Sequence, residues 1–349
     1  MYAEVFDSHD LATFRNWTAE ARSIVLLAHM NADGDACGSI LGMGMMMERA
    51  SGEGCDVSFI LPNGCPKNFG WLPGAERILS GESQRDLCHD AISGADLIVC
   101  LDMNTLARVD MLQEDVLGAT GKKVVVDHHH NTSADQFDIV FSDPHISSTC
   151  ELVLWLSQAL WGDRYMDERV ARCLYTGLST DTGGFAFSCD QPSCFEAASI
   201  LVSYKIEPAD IHNRIINTFS IDRMRFYGFA LSQRLRIYPD KRVAVMAFSL
   251  NDQQLYKVGG EDMEGLVNYT LMMKDIEVGA LLREESGRTK VSLRAKHDVD
   301  VNRIAMELGG GGHTKAAGAT CMMSFKETLN AVEKLLGIDS EEPVIFCLK

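Results

Sequence analysis

The stretch KVVVDHHH, residues 123–130, indicates the fold class, because a mostly apolar run leads directly into one acid and three histidines. The same arrangement occurs upstream at SIVLLAH, residues 23–29, and at LIVCLD, residues 97–102. Short apolar runs with polar boundaries are typical of strands buried on both faces of a parallel sheet. Open α/β folds bind ligands at the carboxyl ends of such strands. We therefore predict an α/β fold whose polar site lies at these strand ends.

The rest of the chain predicts two domains. Helical patterns separate the apolar runs of the first half, as in a parallel α/β sheet. In the second half, the patterns predict strands near 242–248, 277–283 and 290–294, and helices near 302–308 and 326–336. A chain of 349 residues can bury two cores. We predict a first α/β domain over residues 1–191, a helical linker over 192–235, and a smaller α/β domain over 236–349.

The composition excludes several classes of protein. The formal net charge is -17, and this overall field disfavours binding of long DNA or RNA. The mean hydropathy of -0.03 leaves no room for a membrane span, and residues 1–10 do not have the pattern of a secretory signal. Eleven cysteines without a C-x-x-C unit predict reduced thiols. We expect a cytoplasmic protein that binds neither membranes nor long nucleic acid.

Four polar clusters carry the candidate chemistry. They are His29, Asp33 and Asp35 in the loop AHMNADGD; Asp102 after the second apolar run; Asp127, His128, His129 and His130; and Asp181 in GLSTDTGG. Each has an ordinary alternative, such as capping a helix at Asp33 or Asp35 or ending one near Asp181. Taken together, they offer only oxygen and imidazole ligands. Such a set suits a pair of Mn²⁺ or Mg²⁺ ions better than a structural zinc.

In their order along the chain, these clusters resemble the motifs of the DHH phosphoesterase superfamily, which are H-x-x-x-D-x-D, a strand-end Asp, D-H-H and a later Asp. The second half adds VSLR, residues 291–294, and GGGGHTKAAG, residues 309–318. These two segments resemble the substrate-binding signature of the DHHA1 domain. The whole chain looks most like the oligoribonuclease and pAp-phosphatase, or nanoRNase, branch. The resemblance implies a DHH catalytic domain over 1–191 and a DHHA1 substrate-binding domain over 236–349.

The resemblance also implies a cofactor and a role for each site residue. The cofactor would be two divalent cations, with Mn²⁺ expected ahead of Mg²⁺ or Co²⁺. The implied ligands are His29 and Asp33 for one ion, Asp35, His128 and Asp181 for the other, and Asp102 as a bridge between them. Asp127 would orient the ring of His128 without binding metal. His129 would contact a phosphate oxygen or help to protonate the leaving group.

Substrate contacts are implied mainly for the second half. The implied residues are Arg294, Gly310, Gly311, Gly312 and His313, with Asn104 and Arg108 as weaker candidates in the first half. The glycine run could be only a flexible loop. We expect it instead to form a turn before a small-residue helix, with bare N–H groups that meet a phosphate or ribose. Arg294 could instead be a surface strand residue. Residue 184 is Gly, whereas many relatives in this branch carry Arg after T-D-T-G.

The implied activity is metal-dependent hydrolysis of short oligoribonucleotides to mononucleotides, removal of the 3′-phosphate of 3′-phosphoadenosine 5′-phosphate (pAp), or both. The alternatives are a cyclic-dinucleotide phosphodiesterase and a family II inorganic pyrophosphatase, although the latter would not need the glycine-rich segment. A RecJ-like exonuclease usually has further domains and a basic groove, and a non-catalytic sensor typically loses a ligand. The expected partners are a short oligoribonucleotide or a nucleoside bisphosphate, and a second copy of the chain in a homodimer.

Overall fold

The computed structural model describes residues 6–297 and 299–345, and the chain divides into two units between Thr218 and Phe219. The predicted outer limits of the domains, residues 1 and 349, lie outside the described residues. Over the described ranges, no helix has the length and apolar character needed to cross a membrane. The ten cysteines in these ranges form no disulfide.

The first unit contains a parallel sheet of six strands, as the apolar runs predict. Its strands are β1 (Ser23–Leu27), β2 (Asp56–Leu61), β3 (Ile78–Ser80), β4 (Leu97–Leu101), β5 (Lys122–Asp127) and β6 (Ile139–Ser142). Their order is β3-β2-β1-β4-β5-β6, and every neighbouring pair is parallel. The strand order reverses between β1 and β4. In doubly wound sheets, the ligand-binding crevice lies at this switch point.

Eight helices cover the two faces of this sheet. They are α1 (Ser8–Glu20), α2 (Gly34–Ala50), α3 (Arg85–Ser93), α4 (Gln113–Gly118), α5 (Thr149–Trp161), α6 (Glu168–Asp181), α7 (Pro192–Ser203) and α8 (Pro208–Ile216). Alternate residues of β1 enter different cores, because strand side chains point to opposite faces. Ile24 and Leu26 pack in the core that includes α2, α5 and α6. Val25 and Leu27 pack in the core that includes α3 and α4.

Glycines bring α2 and α6 close together. A Cβ atom on Gly38 of α2 would lie 2.4 Å from the carbonyl oxygen of Cys173 in α6. A Cβ atom on Gly177 of α6 would lie 2.7 Å from Oδ1 of Asp35 and 2.2 Å from Sγ of Cys150. All three distances are far below van der Waals contact. The side chain of Asp35 can therefore lie between the two helices only because residue 177 has no Cβ.

The second unit is built on a mixed sheet of seven strands. Its strands are β7 (Leu235–Tyr238), β8 (Val243–Phe248), β9 (Val278–Glu285), β10 (Arg288–Ala295), β11 (Gly311–Gly312), β12 (Ala316–Cys321) and β13 (Val344–Ile345), in the order β11-β12-β10-β9-β8-β7-β13. Among the described strands of this second sheet, only the β8–β9 pair is parallel. The helices are α9 (Ile221–Phe229), α10 (Leu250–Tyr256), α11 (Asn268–Leu271), α12 (Val301–Glu307) and α13 (Phe325–Leu335).

Two local expectations for this half are wrong. The small residues after the glycine run form strand β12 and not a helix, because Ala317, Ala319 and Cys321 are buried on one face and the strand pairs with β10. A strand, β7, also precedes the first one expected, and it begins at the end of the segment predicted as a linker. Small residues alone do not distinguish a strand from a helix, whereas the period-two burial of β12 is typical of a pleated strand.

The segment predicted as a helical linker, residues 192–235, is shared between the two units. Helices α7 and α8 contribute Cys194, Leu201 and Ile211 to the core of the first unit. Helix α9 contributes Phe226 to a core of the second unit. The assignment of catalysis to residues 1–191 and of substrate binding to 236–349 stays a prediction.

Candidate metal centre

The predicted ligands of the first unit meet at the carboxyl edge of its sheet. His29 lies two residues after the end of β1, Asp102 directly follows β4, and Asp127 is the last residue of β5, before His128. Asp181 comes from a different element, since it is the last residue of α6. The site therefore lies at the switch point between β1 and β4, where the order of the parallel sheet reverses.

One group of potential ligand atoms belongs to His29, Asp33 and Asp102, which lie within 4.8 Å of one another. Nε2 of His29 is 3.3 Å from Oδ2 of Asp102, and Nδ1 of His29 is 2.9 Å from the carbonyl oxygen of Met30. Asp33 also caps α2, because its Oδ1 accepts hydrogen bonds from the N–H groups of Asp35 and Ala36. Asp33 therefore both caps α2 and belongs to a group of candidate metal ligands.

A second group, Asp35, His128 and Asp181, surrounds one imidazole nitrogen. Nε2 of His128 lies 3.2 Å from Oδ2 of Asp181, 3.9 Å from Oδ2 of Asp35 and 3.7 Å from Oδ1 of Asp102. Asp102 thus uses one oxygen toward His29 and the other toward His128. The carboxylate that was predicted to bridge two ions lies between the two groups.

Thr149 is a residue of the site that the sequence reasoning missed. Its N–H donates to Oδ2 of Asp35 at 2.6 Å, and its hydroxyl donates to Oδ1 of Asp102 at 3.1 Å. Thr149 begins α5, where Ser148 is the N-cap and accepts from the N–H of Glu151. The sequence signal was available, since Ser-x-x-Glu before an apolar run is a capping-box pattern that predicts a helix start. The positive end of this helix faces two carboxylates of the cluster.

The predicted contact of Asp127 with His128 is wrong. Oδ1 of Asp127 lies 2.7 Å from Nδ1 of His129, whereas Nδ1 of His128 lies 3.4 Å from the carbonyl oxygen of Ile146. Successive side chains at the end of a strand point in different directions, so the acid reaches residue 129 more readily than residue 128. Asp127 is fully buried, and its Oδ2 accepts a further hydrogen bond from Thr132.

His129 is held from both sides. Its Nε2 lies 3.1 Å from Nη1 of Arg108. A guanidinium can only donate, so Nε2 accepts in this arrangement and Nδ1 carries the proton that is donated to Asp127. His129 is also 3.6 Å from Oδ1 of Asp102 through Nδ1, and it forms a third ligand group with Asp102 and His128. Asn104 has a local contact, since its amide donates to the carbonyl oxygen of His130.

The electrostatics of the first unit favour a cation at this cluster. Burial, with the charges of Asp102 and Asp33, raises the pKa of Asp181 to about 8. Burial and the charges of Asp102 and Asp181 raise the pKa of Asp35 well above its ordinary value. Burial also tends to raise the pKa of Asp102. The hydrogen bond with His29 and the charges of His29, His128 and His129 outweigh burial and lower this pKa to about 2. Burial opposes protonation of His29, yet its contact with Asp102 leaves its pKa raised.

Two further observations fit a metal ion. Within the described parts of the chain, no Lys or Arg nitrogen lies within 4.0 Å of the carboxylates of Asp33, Asp35, Asp102 or Asp181. Asp102 also has a φ of 59°, a conformation that costs about 1–3 kcal/mol in a residue other than glycine. Hard oxygen and imidazole donors without a basic partner are a suitable set for Mn²⁺ or Mg²⁺. The residues present therefore fit a divalent cation site.

The second unit contains the other predicted substrate residues. A groove of about 500 Å³ is lined by Arg294 of β10, by Gly310 and Gly311, and by further residues of β10 and β12. Burial lowers the pKa of Arg294, and a charge at Glu264 opposes this shift. Nη1 of Arg294 donates to its neighbour's carbonyl oxygen at 3.0 Å. Arg294 is thus half-buried in a groove and is not a fully exposed strand residue.

The glycine run forms the edge of this groove as a hairpin. Gly312 has a φ of 148°, and a Cβ atom on Gly310 would lie 2.1 Å from the carbonyl oxygen of Gly318. The N–H of exposed His313 donates to the carbonyl oxygen of Ala316 at 2.8 Å, which closes the turn between β11 and β12. Close backbone pairing therefore requires these glycines, whether or not a phosphate binds there.

Each of the two units contains a match to a different family model. Residues 23–178 match the model of the DHH family, N-terminal domain, and residues 240–337 match the model of the DHHA1 domain. A solved structure, an exopolyphosphatase-related protein from Bacteroides fragilis, is 33% identical with a TM-score of 0.90. The alignment covers 97% of this chain and 99% of that one.

Two curated relatives differ in how much of their length is matched. The bifunctional oligoribonuclease and PAP phosphatase NrnA of Thermus thermophilus is 28% identical over 319 residues, which cover 90% of each chain. The cyclic-di-AMP phosphodiesterase GdpP of Bacillus subtilis is 24% identical over 336 residues, which cover 90% of this chain but 47% of the relative. The first match extends over nearly the full length of both proteins.

Proposed function

Because this chain belongs to the DHH family of metal-dependent phosphoesterases, and also carries the DHHA1 domain, we propose that it hydrolyses short oligoribonucleotides to mononucleotides and removes the 3′-phosphate of pAp. The bond class follows from relatives in this family that are named for hydrolysis of phosphoester bonds. The substrate class is the proposal. It is supported by the near full-length match to a relative named for these two activities.

The observation that carries the proposal is the position of Asp102 between two ligand groups. Its Oδ2 faces His29, and its Oδ1 faces His128. We propose that His29 and Asp33 hold one divalent cation, that Asp35, His128 and Asp181 hold a second, and that Asp102 bridges them. Mn²⁺ is the cation we expect. When bound, such a pair activates water and neutralises charge on the phosphate and the leaving oxygen.

His129 and Arg108 are placed for work on the phosphate. The carboxylate of Asp127 keeps the proton of His129 on Nδ1, which leaves Nε2 directed at the guanidinium. A guanidinium binds phosphate oxygens well. We propose that Arg108 turns from His129 to the substrate phosphate. Nε2 would then be free to take up a proton, and the resulting imidazolium would donate it to a phosphate oxygen or to the leaving group.

In the second unit, we propose that Arg294 and the segment Gly310–His313 bind the far phosphate or the nucleotide end of the substrate. The groove that Arg294 lines contains Lys290 as a second cation. Backbone N–H groups of a glycine-rich turn suit phosphate oxygens, because no side chain prevents close approach. Asn104 is a weaker candidate for substrate contact, since its amide is already bonded to the carbonyl oxygen of His130.

The test is a substrate panel with Mn²⁺-loaded enzyme. The panel contains pAp, pApA, longer oligoribonucleotides, cyclic di-AMP, inorganic pyrophosphate, polyphosphate and long single-stranded DNA. We expect the highest kcat/KM on pApA or pAp, and loss of activity in the Asp102→Asn variant. Preference for long single-stranded DNA, pyrophosphate or polyphosphate would contradict the proposal.

A second candidate is hydrolysis of a cyclic dinucleotide, which the match to the cyclic-di-AMP phosphodiesterase supports. The match covers less than half of that relative. A higher kcat/KM on cyclic di-AMP than on pApA would favour this activity. The cytoplasmic location and the homodimer expected from the sequence stay predictions.

A further inference from the structure

Phe187 is an exposed aromatic residue in the turn that follows the metal-ligand candidate Asp181. Its relative exposure is 59%. Single exposed apolar side chains are common on proteins, so this exposure alone does not indicate a binding site. The ring is of interest because it lies in the turn that directly follows Asp181.

The ring of Phe187 lies against the backbone of Gly183. A Cβ atom on Gly183 would lie 2.1 Å from Cε1 and 2.5 Å from Cζ of the ring. Only a glycine at residue 183 therefore leaves room for the aromatic ring. With one side of the ring against this backbone, much of the remaining surface faces solvent.

Hydrogen bonds within the turn fix the backbone of Phe187. The carbonyl oxygen of buried Thr182 accepts hydrogen bonds from the N–H groups of Ala186 at 2.8 Å and of Phe187 at 3.1 Å. The hydroxyl oxygen of Thr182 accepts a third from the N–H of Phe185. Gly183 and Phe185 both have positive φ values, of 56° and 66°. The backbone of Phe187 is thus held by hydrogen bonds, and its ring packs on Gly183.

The ring is also close to the candidate metal centre. Gly183 is two residues beyond Asp181, so their Cα atoms are at most about 7 Å apart. Oδ2 of Asp181 in turn lies 3.2 Å from Nε2 of His128. One nucleotide can span the distance between the metal ligands and a ring at this position.

We propose that Phe187 is a specificity-determining residue, whose exposed ring stacks on the base of a nucleotide with its phosphate at the metal cluster. The inference rests on the proposed nucleotide substrate. Aromatic rings stack on any base, so Phe187 would distinguish nucleotides from base-free phosphates and would not select a sequence. This contact lies within the first unit and adds to the phosphate contacts proposed for Arg294 and His313.

The experiment compares two substrates on Mn²⁺-loaded enzyme, which are pApA and its base-free ribose-phosphate analogue. The variants are Phe187→Ala, Phe187→Trp and Phe195→Ala. Phe195 is the matched control, because it is 52% exposed and its ring packs against Phe185 at 5.8 Å. We expect Phe187→Ala to raise KM for pApA by about 5- to 150-fold, the range given by the loss of one base stack. KM for the base-free analogue should be unchanged, and Phe187→Trp should restore the wild-type KM for pApA.

Several outcomes would overturn the inference. These are an unchanged KM for pApA in Phe187→Ala, an equal rise in KM for both substrates, or an equal effect of Phe195→Ala. A change of molecular mass in Phe187→Ala, measured by light scattering, would show that the ring serves contacts between copies of the chain. If wild-type enzyme cleaves neither pApA nor pAp, the proposed function fails, and the inference fails with it. Wild-type activity therefore tests the function, and the variants test Phe187.

Discussion

Oδ1 of Asp127 lies 2.7 Å from Nδ1 of His129, two residues further along the chain. The acid of the D-H-H motif thus supports the second histidine and not the first. The first histidine, His128, has Nε2 within 3.9 Å of three carboxylates. The motif therefore combines a candidate metal ligand, His128, with an oriented histidine, His129, that is a candidate for acid–base chemistry or phosphate contact.

The first prediction concerns Asp127. Replacement by Asn removes the charge that keeps the proton on Nδ1 of His129, so we expect kcat to fall by about 10- to 100-fold. Bound Mn²⁺, measured by elemental analysis, should not change. Asp138→Asn is a control, because Asp138 contacts Lys122 and the N–H of Lys123, away from the cluster. Loss of metal together with activity would instead indicate that Asp127 supports a ligand.

The second prediction concerns the coupling of Asp127 and His129. His129→Ala should lower kcat by about 10²- to 10⁴-fold, the usual effect of losing a general acid or base, and should retain bound metal. If Asp127 acts only through His129, adding Asp127→Asn to His129→Ala should have almost no further effect on kcat. Effects that multiply in the double variant would show independent roles. Loss of metal in His129→Ala would favour the third ligand group, with Asp102 and His128.

The third prediction concerns the close packing at Gly177. A methyl group there would lie 2.7 Å from Oδ1 of Asp35, so Gly177→Ala must displace the carboxylate or the helix. We expect a loss of about 1–3 kcal/mol in the free energy of unfolding, measured by urea titration, together with weaker Mn²⁺ binding. Gly118→Ala is the control, since a Cβ atom there meets nothing within 4 Å. Equal stability of the two variants would be incompatible with the packing described for α2 and α6.

The fourth prediction is a pH dependence of the metal-free protein. The pKa of Asp181 is raised from 3.8 to about 8, so between these values the folded protein keeps a proton that the unfolded chain loses. The free energy of unfolding should therefore fall as pH rises through this window, by up to about 1.4 kcal/mol per pH unit from this carboxyl group. The raised pKa values of Asp35 and His29 act in the same direction.

This dependence can be measured by urea unfolding in EDTA from about pH 5 to pH 8. Asp181→Asn should reduce the slope, and so should saturating Mn²⁺, which replaces the proton as the counter-charge. The prediction fails if the metal-free protein becomes more stable across this window, or if Asp181→Asn leaves the slope unchanged.

The fifth prediction concerns Arg294. If its guanidinium binds a substrate phosphate, Arg294→Ala should raise KM for pApA by about 10- to 100-fold, as expected for a hydrogen bond to a charged group. The control is Arg288→Ala on the same strand, because Arg288 is more than half exposed and pairs with Glu285. An unchanged KM in Arg294→Ala would mean that the groove of the second unit does not bind the substrate phosphate.

Much of this protein follows from the sequence alone. Apolar runs that end in His29, Asp102 and Asp127 predict a parallel sheet, because short apolar runs with polar boundaries are typical of strands buried on both faces. Parallel strands end at one edge, so the ligands had to converge there. Sequence spacing could also place Asp181 at a helix end.

Other features depend on tertiary contacts between residues far apart in sequence. The contact of Thr149 with Asp35 joins residues 114 positions apart, and it exists because α5 begins at the sheet edge. Strand β12 forms because its backbone pairs with β10. No local sequence pattern predicts this pairing.

The sequence by itself therefore determined which elements form and which chemical groups they carry, since hydrophobic periodicity and residue type are local properties. Only the tertiary structure decided which of two adjacent histidines meets the acid, and which side chain packs on the turn that follows the candidate ligand Asp181. These choices depend on the direction of each side chain, which residue type alone does not give. That is why Asp127 bonds to His129 and why Phe187 lies on Gly183.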